Sequence, residues 1–147
     1  MDLCQDQHAV DRMKPTERSK EKRRSSARIL LVEDHEPLAA MRRAYLTQHG
    51  YEVVCARDGQ EGCRLLECER FDLVVTDSSL PKTSGWEVAT LAKRRHLPVI
   101  LSSGWPLRLR PEEMAARGVD YVAPKPCTLR RLLSLVETAL QKGASHR

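Results

Sequence analysis

Four short stretches of this 147-residue chain end in residues that can do polar chemistry. "RILLVED" ends in Glu33 and Asp34. "FDLVVTDSSLP" carries Asp77 just after an apolar run. "PVILSSG" ends in Ser103 and Gly104, which offer a hydroxyl and a backbone amide. "YVAPKP" holds Lys125 between two prolines, a setting that restrains the backbone of a positioned cation. If the apolar runs are neighbouring strands, three carboxylates meet at one edge. Such a cluster is costly unless something neutralises it. A hard divalent cation is the natural answer, and magnesium prefers oxygen ligands. Acids, metal, hydroxyl and ammonium together suit a phosphoryl group placed on a carboxylate. Asp77 would attack, the metal and Lys125 would neutralise phosphoryl oxygens, and Ser103 would donate a hydrogen bond.

These groups meet only if the right elements carry them. From Arg28 onward, short apolar runs alternate with helical patterns five times, joined by short connections. The pattern predicts a parallel sheet covered by helices on both faces, a doubly wound α/β fold. In such sheets ligands bind at the carboxyl ends of the strands, which is where the acids fall. The first helix, "PLAAMRRAYLTQHG", is expected to turn Leu38, Met41 and Tyr45 to one face, with Gly50 closing it. Gly62 weakens the second. The third stops before Pro98, and the fourth starts at Pro111. The last is expected to bury a stripe of Leu129, Leu132, Leu133, Val136 and Leu140.

Length fits one domain. With 31% charged and 41% hydrophobic residues, the composition is that of an ordinary soluble protein. No apolar run is long enough to span a bilayer, and the N-terminus lacks a signal peptide's apolar core. A cytoplasmic protein without membrane association is the expectation. The formal charge of +5 is too small a surplus to argue for nucleic-acid binding. Residues 1–27 are polar, charged and without apolar periodicity, and read as a basic disordered tail. Residues 28–141 read as the folded domain and 142–147 as a short tail. The cysteines, at positions 4, 55, 63, 68 and 127, show no C-x-x-C spacing. They read as reduced thiols, mostly core filler.

With "LLVED", "DLVVTDSSLPKTSG", "PVILSSG" and "GVDYVAPKP" in this order and spacing, residues 28–141 resemble the receiver domain of two-component response regulators. The resemblance is to the CheY-like, stand-alone single-domain type. It implies a flavodoxin-like (βα)5 sheet of order 2-1-3-4-5, with no DNA-binding domain in this chain. Asp77 would be the phosphoacceptor, with Ser103 and Lys125 the phosphate-sensing pair. Glu33 and Asp34 would hold Mg2+ with Asp77 and the backbone carbonyl of Ser79. Ser78 and Gly104 would line the phosphate, and Pro81 and Gly85 match the loop after the acceptor. A histidine kinase or histidine phosphotransfer protein would donate the phosphoryl group, and output would pass to a downstream protein. The chain would be a self-phosphorylating and self-dephosphorylating switch rather than an enzyme. By the same resemblance Ser79 and Trp105 would flank the path of the water that attacks the acyl phosphate. Trp105, followed by Pro106, either shields that path or points away as an exposed contact for a partner.

Two positions depart from the family pattern. Val122 stands where an aromatic switch residue is usual, and Tyr121 precedes it on the opposite strand face. Cys127 follows Lys-Pro where an aromatic residue is common. These departures support a rival, a phosphorylation-independent interaction module of the same fold. A flavin- or nucleotide-binding domain is a third reading, but "EDHEP" after the first strand repels an anion. His35, His49 and the run Lys93–Arg95 read as surface groups.

Overall fold

A computed structural model describes residues 27–104 and 110–145. The expected tail, apart from Ala27, lies outside the described residues, as do Trp105 and Pro106. Five strands and five helices alternate along the described chain. They are β1 Arg28–Val32, α1 Glu36–Gln48, β2 Glu52–Ala56, α2 Gly59–Cys68 and β3 Leu73–Asp77. Then follow α3 Gly85–Arg94, β4 Val99–Ser103, α4 Pro111–Ala116, β5 Tyr121–Pro124 and α5 Leu129–Ser145. All strand pairs are parallel, in the order β2-β1-β3-β4-β5. Strand order reverses beside β1, so the carboxyl ends of β1 and β3 flank a crevice.

The strands are apolar throughout because both faces are covered. Alternate residues of each strand feed different layers. Ile29, Leu31, Leu73, Val75 and Ile100 pack with Leu46, Leu132 and Val136 from α1 and α5. Leu30, Val32, Val74, Val99 and Leu101 pack with Leu65, Leu66, Val88 and Ala92 from α2 and α3. Tyr121 and Val122 fall into different layers, as their adjacency requires. Gly62 lets α2 approach β1, since a Cβ there would press on Val32. Local chemistry fixes the helix starts. Asp58 caps α2 by accepting from the Glu61 N–H at 2.8 Å. Proline occupies the first turn of α1 and of α4.

Three expectations need correction. In α1 the buried residues are Ala39, Arg42 and Leu46, while Met41 is 55% exposed. The expected stripe of Leu38, Met41 and Tyr45 is rotated one residue toward solvent, because a charged residue occupies the inward position. In α5 the buried set is Leu132, Leu135, Val136 and Ala139, with Leu129, Leu133 and Leu140 half-buried at its edges. That helix also continues to Ser145, so residues 142–145 are helix rather than tail. The described cysteines are free and half-buried, and burial pushes the Cys55 and Cys63 thiols up, away from the reactive thiolate. No helix among the described residues is long and apolar enough to cross a membrane.

Candidate functional site

Strand order gathers the polar residues that the sequence scatters. β1 lies beside β3, β3 beside β4 and β4 beside β5. The chain leaves β1 at Glu33, whose N–H still donates to the Ala56 carbonyl at 3.0 Å. Asp77, the last residue of β3, is the register partner of Ser102. Ser103 closes β4, and its carbonyl accepts from the Lys125 N–H at 2.7 Å. Five residues from two strands and two loops therefore reach one edge: Glu33, Asp34, Asp77, Ser103 and Lys125.

Within this edge the charges are close. Lys125 Nζ lies 2.9 Å from Asp77 Oδ2 and 3.8 Å from Glu33 Oε1. The first distance is a charge-assisted hydrogen bond. The second is an ion pair too long for one. Among the described residues Glu33 Oε1 accordingly has no hydrogen-bond partner, in a side chain only 1% exposed. Glu33 Oε2 accepts from the His35 N–H at 3.1 Å. Burial pushes the Glu33 carboxyl above its usual range, and the Asp77 charge adds to this against the pull of Lys125. Oxygens of Glu33, Asp34 and Asp77 all lie within 4.8 Å of one another. Among the described residues, three carboxylates against one paired ammonium leave two negative charges without an ion pair.

The donor set fits a hard divalent cation. All three side chains offer carboxylate oxygens, and one of those oxygens is buried without a donor. Buried acceptors in folded proteins rarely lack partners, so an orphan beside two further acids marks a place for a cation.

The loop after Asp77 is held under the acceptor. Gly85 lies so close to the Asp77 carbonyl that a Cβ would collide with it, and its N–H donates to the Ser78 carbonyl at 3.3 Å. Gly85 is thus glycine for space. The Ser79 N–H reaches Asp77 Oδ1 at 3.4 Å. The Ser78 N–H donates to the Ser102 carbonyl at 2.9 Å. Only its hydroxyl is left for a phosphate. Gly104 is exposed beside the Lys125 side chain, 4.0 Å from where its Cβ would stand. Pro81 is exposed in the same loop. Trp86 is half-buried against the α2–α3 layer, with the Arg117 guanidinium over its ring. Val122 points into that layer and Cys127 sits half-buried past Lys125, neither of them at the acid cluster.

One polar residue escaped the sequence reading. Arg42 is only 3% exposed, and its Nη2 donates to Ser102 Oγ at 3.3 Å. A signal existed in the pairing of departures. A charge interrupts the inward stripe of α1, and a serine interrupts the inward face of β4.

Comparison with known proteins agrees with this geometry. The profile of the response regulator receiver domain matches residues 29–137. The uncharacterized transcriptional regulatory protein YcbL of Bacillus subtilis (strain 168) is 30% identical over 118 residues. That alignment covers 80% of this chain and 52% of the relative, so the chain spans about half the relative's length. The crystal structure of a response regulator receiver domain protein (CheY-like) from Methanospirillum hungatei JF-1 is similar, with a TM-score of 0.77 and 28% identity. It covers 84% of this chain and 100% of the other. Chemotaxis response regulator CheY4 of Vibrio cholerae gives a TM-score of 0.72 at 25% identity, covering 79% and 100% of the two chains.

Proposed function

Because this chain belongs to the response regulator receiver domain family of two-component systems, we propose that it is a phosphoryl switch built on Asp77. The phosphoryl group comes from a histidine kinase or a histidine phosphotransfer protein. An Asp77 oxygen forms the new P–O bond as the P–N bond to the donor imidazole breaks, and the imidazole leaves with a proton. Asp77 Oδ1 suits the attack, since its hydrogen bond from Ser79 is long while Oδ2 carries Lys125. Lys125 then follows the new negative charge onto the phosphoryl oxygens. The Ser103 hydroxyl and the Gly104 amide, at the carboxyl end of β4, would hold those oxygens, which would couple β4 to the phosphorylated state. Glu33, Asp34, Asp77 and the Ser79 carbonyl would hold Mg2+. When bound, that ion supplies positive charge against the phosphoryl oxygens.

The chain turns over its own acyl phosphate and no separate substrate, so it works as a switch rather than as a metabolic enzyme. Output passes to a downstream protein that distinguishes the two states, in the cytoplasm where such kinases present their phosphohistidine.

The observation that carries this reading is the buried Glu33 oxygen, without a hydrogen-bond partner among the described residues, in a carboxylate trio whose paired cation, Lys125, also grips Asp77. The test is incubation with a small phosphodonor and magnesium, read by intact mass. The expected result is a single phosphoryl adduct that needs magnesium and is absent from Asp77→Asn. An absence of adduct would overturn the reading in favour of a phosphorylation-independent interaction module, and equal labelling of Asp77→Asn would overturn Asp77 as the acceptor.

A further inference from the structure

The mechanism above leaves Arg42 unused. It sits in the middle of α1 and is only 3% exposed. One turn to either side, Ala39 and Leu46 belong to the apolar layer between α1, α5 and the sheet. Among the described residues its guanidinium forms no ion pair, and its hydrogen bond is to the neutral Ser102 hydroxyl. A guanidinium does not lose its proton in a protein, so burial cannot be relieved by neutralisation. A buried permanent charge beside one neutral hydroxyl is strongly unfavourable unless an opposite field offsets it.

The sheet register supplies that field. Glu33 continues the alternation of Ile29 and Leu31, and Asp77 that of Leu73 and Val75. Ser102 continues that of Ile100. All three positions therefore belong to the sheet face that α1 covers. Ser102 is also the register partner of Asp77. One strand spacing and one serine side chain separate the guanidinium from the acceptor, roughly 10 Å or less. Among the described residues the acid cluster pairs three carboxylates with one ammonium, Lys125, which leaves a net of two negative charges.

We infer that Arg42 is a positioning charge of the phosphorylation pocket, a buried counter-cation that lowers its affinity for a divalent ion and favours the more negative, phosphorylated state. The inference rests on the metal-assisted reading of the pocket given above. Its signs follow from Coulomb's law. A divalent ion brings two positive charges toward Arg42 and is repelled. A phosphoryl group adds negative charge at Asp77 and is attracted.

The test measures magnesium affinity calorimetrically on the unphosphorylated full chain, with no phosphodonor present. Arg42→Met keeps length and bulk and removes the charge, and it suits an apolar layer. Magnesium should bind it about three- to tenfold more tightly, from a charge removed at about 10 Å in a partly aqueous medium. Arg42→Lys keeps the charge and should stay near the unaltered protein. A residue that merely shapes the fold would give the opposite sign, since a loosened pocket binds metal less well. Unchanged or weaker binding by folded Arg42→Met overturns the inference alone. Should that variant not fold, Arg42→Gln takes its place with the same expected sign. No magnesium binding by the unaltered protein overturns the metal reading and this inference with it.

Discussion

The two ends of the sheet handle charge in opposite ways. At the amino end, Arg28 is surrounded. Its guanidinium meets Glu69 at 2.7 Å, Glu52 at 3.3 Å and the Arg70 carbonyl at 2.9 Å, and it lies over the Phe71 ring. Its own N–H donates to Asp72 at 2.8 Å. Asp120, at the same end, accepts from the Val99 N–H at 2.8 Å. At the carboxyl end, three acids share one lysine, and Glu33 Oε1 has no donor. Acids are common at both ends, so composition does not distinguish them. What differs is whether each charge has its complement within the chain. A satisfied charge holds strands in register, and an unsatisfied one is where an added cation would gain the most.

The largest effect should come from breaking the satisfied end. Arg28→Met removes the cation from Glu69, whose side chain is 7% exposed, and leaves that carboxylate buried without a partner. A loss of about 2–3 kcal/mol of stability is expected in denaturant unfolding, below the range for a fully buried pair because Arg28 is partly exposed. Magnesium affinity should not change. A loss under about 0.5 kcal/mol, or an altered metal affinity, would break the comparison.

The unsatisfied end should respond the other way round. Glu33→Gln removes a buried negative charge that Lys125, shared with Asp77, offsets only in part. Glu33 sits above its usual pKa because burial penalises its charged form, so losing that charge relieves the fold. In the absence of metal the variant should be at least as stable as the unaltered protein. Magnesium affinity should fall about tenfold, or about 1.4 kcal/mol. Thermal unfolding with and without magnesium reads both effects, because a ligand of the native state raises the melting temperature. Destabilisation without metal would mean that Glu33 serves the fold.

Much of this division could be read from the sequence, and its limits have physical causes. β1, β3 and β4 are apolar on both faces, so continuous hydrophobic runs gave the strands and their parallel pairing. Asp77, Glu33 and Lys125 stood out because each follows such a run directly. The face of α1 was misread by one residue, because periodicity treats arginine as solvent-facing and Arg42 faces inward. The end of α5 was set too early, since "QKGAS" carries no apolar residue except an alanine to extend the stripe. The β3–β4 ladder also runs one residue past Asp77 and engages the Ser78 amide with the Ser102 carbonyl. Pairing at strand ends depends on register, which a single sequence does not print.

The smallest predicted effect tests whether position or satisfaction is the deciding variable. Asp58 lies just past the carboxyl end of β2, on the same side of the sheet as the acid cluster. By position it belongs with Glu33. By partners it belongs with Arg28, because it accepts from the Glu61 N–H at 2.8 Å and lies 3.7 Å from Lys82. The Glu61 hydrogen bond holds the Asp58 carboxyl below its ordinary value of 3.8, and Lys82 contributes in the same direction. A depressed carboxylate stabilises the fold above that ordinary value. The contribution is lost as pH falls through the lower value of the folded state. Asp58→Ala removes the helix cap and should cost about 1 kcal/mol near pH 7. Asp58→Asn keeps a capping oxygen, so it should cost less and flatten the acid limb of the stability profile. Neither should shift magnesium affinity as Glu33→Gln does. The measurement is denaturant unfolding of the three proteins from pH 7 to pH 3, with a magnesium titration at pH 7. If Asp58→Ala weakened metal binding as strongly as Glu33→Gln, location at the carboxyl edge would decide function. A stability cost that fades toward pH 3, with metal binding intact, would show that the satisfied partner decides it.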